Sequence, residues 1–198
     1  SLLRSSPFIF GLLLCYTVMH TQYDYYAQYM FFMHRIQHLI LHHLGPFLMA
    51  LSLPLPVLAK GMPVSICQPG TRVLRLPFFQ AGYRILQFPP LAAILFVGLI
   101  FFWLTPEIHF AAMLNRTLYH VMNWSMFLDG LLFWWLMLNP KITDGGVTLK
   151  YGWRIVILLL IMVPQIVLGA TITLSKDMIF DVYEVCGRAW PLAPMTDQ

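Results

Sequence analysis

An all-α bundle of membrane-crossing helices is the fold class this sequence predicts, on three observations. Hydrophobic residues make up 59% of its 198 positions and charged residues only 10%, with a mean hydropathy of +0.72, outside the range of soluble domains. Five stretches come close to the roughly 20 apolar residues that a helix needs to cross hydrocarbon. The basic residues fall between those stretches, mostly on one side of the arrangement they imply.

Taken in order, the first span runs near Pro7 to Tyr25; its apolar part, Pro7 to Met19, is short and follows Arg4. The second, Gln28 to Leu53, is richest in polar side chains and contains Pro46. A loop over 54–88 follows, in which Thr71 to Phe88 alternates Arg with bulky apolar residues and suits either an amphipathic helix in the interface or a solvated loop. The third span, Pro89 to Thr105, is near the minimum length, the fourth covers Leu118 to Leu138, and the fifth, Gly152 to Leu174, contains Pro164. Proline inside a span removes a helical hydrogen bond, so kinks are expected at Pro46 and Pro164. The chain reads as a single transmembrane domain over residues 1–198.

Orientation follows from the basic residues. Arg4, Lys60, Arg72, Arg75, Arg84, Lys141, Lys150 and Arg154 share one side, against Arg116, Lys176 and Arg188 on the other. The first side, including the N-terminus and loop 54–88, should be cytoplasmic. Topology and anionic lipid then account for the net charge of +4, with no nucleic-acid partner.

The run FFMHRIQHLILHHLGPF carries the functional signal. His34, His38 and His42 recur every four residues and share a helix face inside a hydrophobic span. Imidazole at membrane depth costs desolvation free energy that Leu would not, so such a stack points to ligand binding or ion movement. His120 lies at a similar depth in the fourth span, and His20 and His109 fall in the neighbouring outer loops. Met30 precedes His34 by one turn, Met33 adjoins it, and Met122 and Met126 follow His120. Thioether with imidazole suits Cu(I), although methionine also fills helix contacts with no such role. The competing reading of His34 and His38 is a hydrogen-bonded pair between helices. Arg35 is expected to snorkel or to meet an acid.

Asp129, in the middle of the fourth span, lies nine residues from His120, on the opposite helix face. It belongs to another contact, with Arg35 or His42 among the options. Cys15, Cys67 and Cys186 are kept apart by the topology, which leaves no disulfide or thiolate clamp. Neither a phosphate-binding loop nor a hydrolytic triad is found, so no catalytic residues are assigned and the chain is not read as an enzyme.

The run HRIQHLILHHLGPFLMALSLP resembles the His-x-x-Gln-His-Leu and following Pro-x-Leu pattern of the bacterial CtaG family of cytochrome c oxidase assembly proteins. LYHVMNWSMFLDGLLFWWLML is similar to that family's later His-bearing helix through His120, Gly130, Trp134 and Trp135. VPQIVLGATITLS matches its Pro-Gln-x-x-x-Gly helix, and PLAPMTDQ matches the Asp-Gln that opens its last span. Asn123, Trp124 and Asp129 depart from the pattern, which puts a second ligand from the fourth span in doubt. The resemblance implies about seven helices in the full protein, with this chain lacking both ends.

The resemblance also implies maturation of the copper centres of haem-copper oxidases. The residue reading agrees: His34, His38 and His120 as a Cu(I) site near the outer face, with Met30 and Met33 at its entry and His42 a deeper exit step. Expected partners are oxidase subunits, a periplasmic copper donor, membrane lipid and a second copy of the chain. Two alternatives stand beside it. One is a haem-binding electron-transfer protein ligated by His34 or His38 with His120; the other is an accessory subunit of a respiratory oxidase whose histidines are satisfied by hydrogen bonds.

Overall fold

A computed structural model describes residues 2–54, 61, 63, 65, 68, 72, 76–139 and 149–185. Among them every element is helical: α1 (Leu2–His20), α2 (Gln22–Tyr29), α3 (Phe31–His38), a π-helical turn (Leu39–Leu44), α4 (Gly45–Leu51), α5 (Pro77–Leu86), α6 (Pro89–Trp103), α7 (Pro106–Leu114), α8 (Arg116–Leu138), α9 (Tyr151–Thr173) and α10 (Val182–Val185). Cys67, Cys186, Lys60, Arg75, Lys141, Arg188 and the PLAPMTDQ match lie outside the described residues.

α8 and α9 are each long and apolar enough to cross a membrane by length and composition. α5 and α6, bent by 73° where they meet, form a third candidate if the pair acts as one broken span, and Ser5–His20 is a shorter apolar helix. The first expected span, drawn to Tyr25, ends at His20, where its apolar part also stops. Thr21 caps α2 by accepting the Tyr23 N–H at 3.2 Å, so Gln22–Tyr29 form a separate short helix.

The second expected span is divided. Met30 is extended (φ −141°, ψ 124°) and sets α2 off from α3. Farther along, Gly45 N–H donates to the Ile40 carbonyl five residues back, which places a π turn immediately before Pro46. The expected disturbance at Pro46 therefore takes the form of a π turn, one residue wider than α, that absorbs the missing N–H. α9 continues through Pro164 from Tyr151 to Thr173.

Small residues set the helix contacts. A Cβ on Gly11 would lie 2.7 Å from the Gly45 carbonyl oxygen, and one on Gly45 would collide with Cys15 Sγ, so α1 and α4 approach as only glycine allows. A Cβ on Gly130 of α8 would enter the His42 carbonyl group. These contacts fix the height of the histidine-bearing helix against both neighbours.

Toward one end of the bundle Phe96, Phe133, Leu136, Ile157 and Ile161 bring α6, α8 and α9 together. There Arg154 donates to the carbonyls of Met137 (2.8 Å), Asn139 (2.9 Å) and Leu149 (3.0 Å), closing the C-terminal end of α8 with a cation. α5 runs alongside that end with Phe78 81% exposed, a helix where the sequence left open an amphipathic helix or a solvated loop. Around the other end gather Phe31, Trp103, Tyr119, Met122, Met126, Phe180 and Tyr183.

Candidate metal centre

The face of the second helix that turns inward carries His34, Gln37, His38, Leu41 and His42, and all five are buried. Their spacing of three and four residues is a helical stripe, unusual only in being polar. His34 and His38 stack one turn apart with ring centroids 4.2 Å apart.

His38 Nε2 lies 3.2 Å from Asn123 Oδ1 on α8. An amide oxygen only accepts, so the His38 proton sits on Nε2 and Nδ1 keeps its lone pair. That Nδ1 is buried and has no hydrogen-bond partner. His34 goes further: it is fully buried, and neither ring nitrogen has a partner. A neutral imidazole with both nitrogens unmatched is disfavoured by about 1–3 kcal/mol relative to a paired one. This is the pattern of a donor atom held open for a ligand.

His109, on α7, supplies the third imidazole around His34, at 5.1 Å between centroids. Its Nδ1–H donates to the Trp103 carbonyl (3.1 Å) and its Nε2 accepts from the Tyr183 hydroxyl (3.0 Å). Burial holds this imidazole down at about 4, so it is neutral at physiological pH. His109 thus walls the site as a partnered ring, and among the described residues no three His, Cys, Asp or Glu side chains form a group that could hold a metal ion. Two-coordinate Cu(I) needs only two donors, and imidazole nitrogen is an accepted one.

The other expected site residues divide. His120 is exposed, next to the buried Tyr119 and turned away from His34, so the structure does not bring it to the site. Tyr119 takes the inward position, 6.1 Å from the His34 ring. Met30 is buried at the α2–α3 junction, and Met33 is half-buried with its carbonyl accepting the Tyr23 hydroxyl. Deeper, His42 Nε2 is 3.0 Å from Asp129 Oδ2 and its ring stacks on Phe96 at 4.0 Å. Asp129 therefore meets His42, one of the two contacts weighed for it. His43 Nε2–H donates to Gln165 Oε1 at 3.1 Å. His20 lies exposed against Tyr16.

Two residues of the site went unassigned from sequence. His109 was placed among loop histidines, and its burial depends on α7, which begins at a Pro-Glu pair that signals a helix start. Asn123 entered only as a departure from a family pattern. Its signal was its place four residues from Tyr119 on the inward stripe of α8.

A family model described as cytochrome c oxidase caa3 assembly factor matches residues 1–198, the whole chain. The chain belongs to the caa3 assembly-factor family. No curated protein and no solved structure matches it. Membership of this family makes the chain an oxidase assembly factor of the membrane, and its work involves cytochrome oxidase.

Proposed function

We propose that this assembly factor binds Cu(I) at His34 and His38 and hands it to a haem-copper oxidase during maturation. The observation that carries the reading is the His34 side chain, fully buried with two unpartnered nitrogens beside the open Nδ1 of His38. Copper here is cargo, and no bond in a substrate is made or broken, so the protein acts without being an enzyme. Low coordination suits release, because an incoming imidazole or thioether can bind before the first ligand leaves. Met30, buried just before α3, is a soft donor one helical turn ahead of His34 in sequence. His120, being exposed, is available to an external copper donor or to a second copy of the chain rather than to His34.

The proposed setting is five crossings with the N-terminus cytoplasmic, in which α3, the π turn and α4 together make the second crossing and the His34 end faces the periplasm. The basic residues on the opposite side support that orientation. The haem alternative requires His120 to face His34 or His38 across the bundle, and its exposed position does not support that pairing.

The deciding experiment is the copper content and Cu(I) affinity of the detergent-purified protein, with an absorbance scan. Wild type and His120→Leu should hold about one copper per chain or per dimer, while His34→Leu and His38→Leu lose it and remain folded. A wild type without copper, or with copper retained by His34→Leu, would remove the reading. A Soret band would move the assignment to haem.

A further inference from the structure

His38 of the imidazole pair and His43 form part of the wall of a cleft of about 350 Å³, the space of roughly a dozen water molecules. Its floor and walls come from α3 and the π turn, α6, α8 and α9. Apolar side chains such as Phe31, Ile100 and Ile172 line much of it. The rim includes Leu39, 55% exposed, and the exposed Gly169 and Thr173, so the cleft opens sideways between the second helix and α9.

The polar content of this cleft is specific. Arg35 lines it, and among the described residues no carboxylate lies within ion-pairing distance of its guanidinium and no hydrogen bond engages it. The acid of the neighbouring span, Asp129, is taken by His42. Gln165 uses its Oε1 on His43, which leaves the amide N–H₂ as a donor on the cleft wall, and Thr173 adds a hydroxyl at the mouth. Among the described residues no acidic side chain lines the cleft. A guanidinium at membrane depth is costly unless an anion meets it, and its planar fork matches carboxylate and phosphate.

We propose that this cleft binds the anionic head of a membrane amphiphile, with Arg35 as its charge partner, Gln165 and Thr173 as further donors, and the tail leaving between the second helix and α9. A phosphate or a carboxylate head satisfies the same donors. The cleft adjoins the copper pair, since His38 forms part of its wall, but Arg35, Gln165 and Thr173 are not donors to that pair, so the proposal stands whether or not copper binds.

The test is native mass spectrometry of the metal-free protein, transferred from mixed micelles of phosphatidylglycerol, phosphatidylcholine and oleate. One anionic amphiphile per chain should be retained, at least tenfold over phosphatidylcholine. Arg35→Gln should lower that preference about tenfold, Arg35→Lys should keep part of it, and Thr173→Val and Gln165→Leu should each lower it severalfold. If Arg35→Gln does not fold, the lysine, valine and leucine variants carry the test. Retention of oleate in place of phosphatidylglycerol upholds the proposal and names the source of the head group. Equal retention of phosphatidylglycerol and phosphatidylcholine overturns it, as does a preference unchanged in all the variants, or inorganic phosphate alone occupying the site while neither amphiphile is held.

Discussion

Gln37 and His34 sit one turn apart on the same face of α3, both fully shielded from solvent, and their surroundings treat them in opposite ways. Around Gln37 everything is matched. Its amide N–H₂ donates to the Val18 carbonyl (2.7 Å) and to Asp24 Oδ1 (2.9 Å), while Tyr119 OH lies 2.7 Å from the same Asp24 oxygen and 3.1 Å from Gln37 Oε1. Gln28 donates to the other Asp24 oxygen at 3.0 Å. Around His34 nothing is matched. The bundle can evidently saturate a buried polar group at this depth, so the bare imidazole is a local property of the site and not poor packing. Satisfaction at Gln37 braces α3 against α1, α2 and α8, and the brace holds His34 and His38 in place while leaving their nitrogens open.

Changes to each half of this contrast should separate stability from metal retention. The largest effect on folding belongs to Asp24→Ala, which takes the acceptor from a Gln28 and a Gln37 N–H and leaves Tyr119 OH only Gln37 Oε1, and should lower stability by about 2–3 kcal/mol. Thermal unfolding in detergent would register it as a clear fall in Tm, with copper retention falling only as far as the fold loosens. Tyr119→Phe removes one hydroxyl from the same network and should cost about 1 kcal/mol. A Tm equal to wild type in both variants would show that the network does not brace the helix.

His34→Leu reverses the sign. It removes no hydrogen bond and replaces an unmatched imidazole with an apolar group of similar size, so Tm should hold or rise by the equivalent of about 1 kcal/mol. Copper, measured on the same sample, should be lost. A strong drop in Tm would mean that the imidazole is matched in the membrane after all. His120→Ala, at an exposed position, should change Tm by less than the equivalent of about 0.5 kcal/mol and leave Cu(I) affinity as it was.

Helical class, the long apolar helices α8 and α9 and the inward histidine stripe were legible because each rests on hydropathy or on a period of 3.6. His120 was misplaced for a specific reason. Matching depth gives height along a helix axis and says nothing of azimuth, and α8 turns Tyr119, Met122, Met126, Gly130 and Phe133 inward, a stripe to which His120 does not belong. The half-turn between His120 and Asp129 already held that answer once Asp129 was assigned to a helix contact. The break at Met30 carried no signal, since a methionine among aromatics gives no cue for an extended backbone. His109 needed Tyr183, contributed 74 residues later, before its burial had a reason.

The π turn at Leu39–Leu44 has a consequence for sequence comparison. It inserts one residue between two otherwise regular helical pieces, so the positions before it and after it keep separate registers. Deleting any single residue from that turn would leave the His34–Gln37–His38 face untouched yet rotate everything beyond by about 100°. His42 would swing off Asp129, and the backbone beside Gly11 and Gly130 would present side chains where now there is only chain. Among relatives, then, length between His38 and Gly45 should be held more strictly than the identity of the residues that fill it.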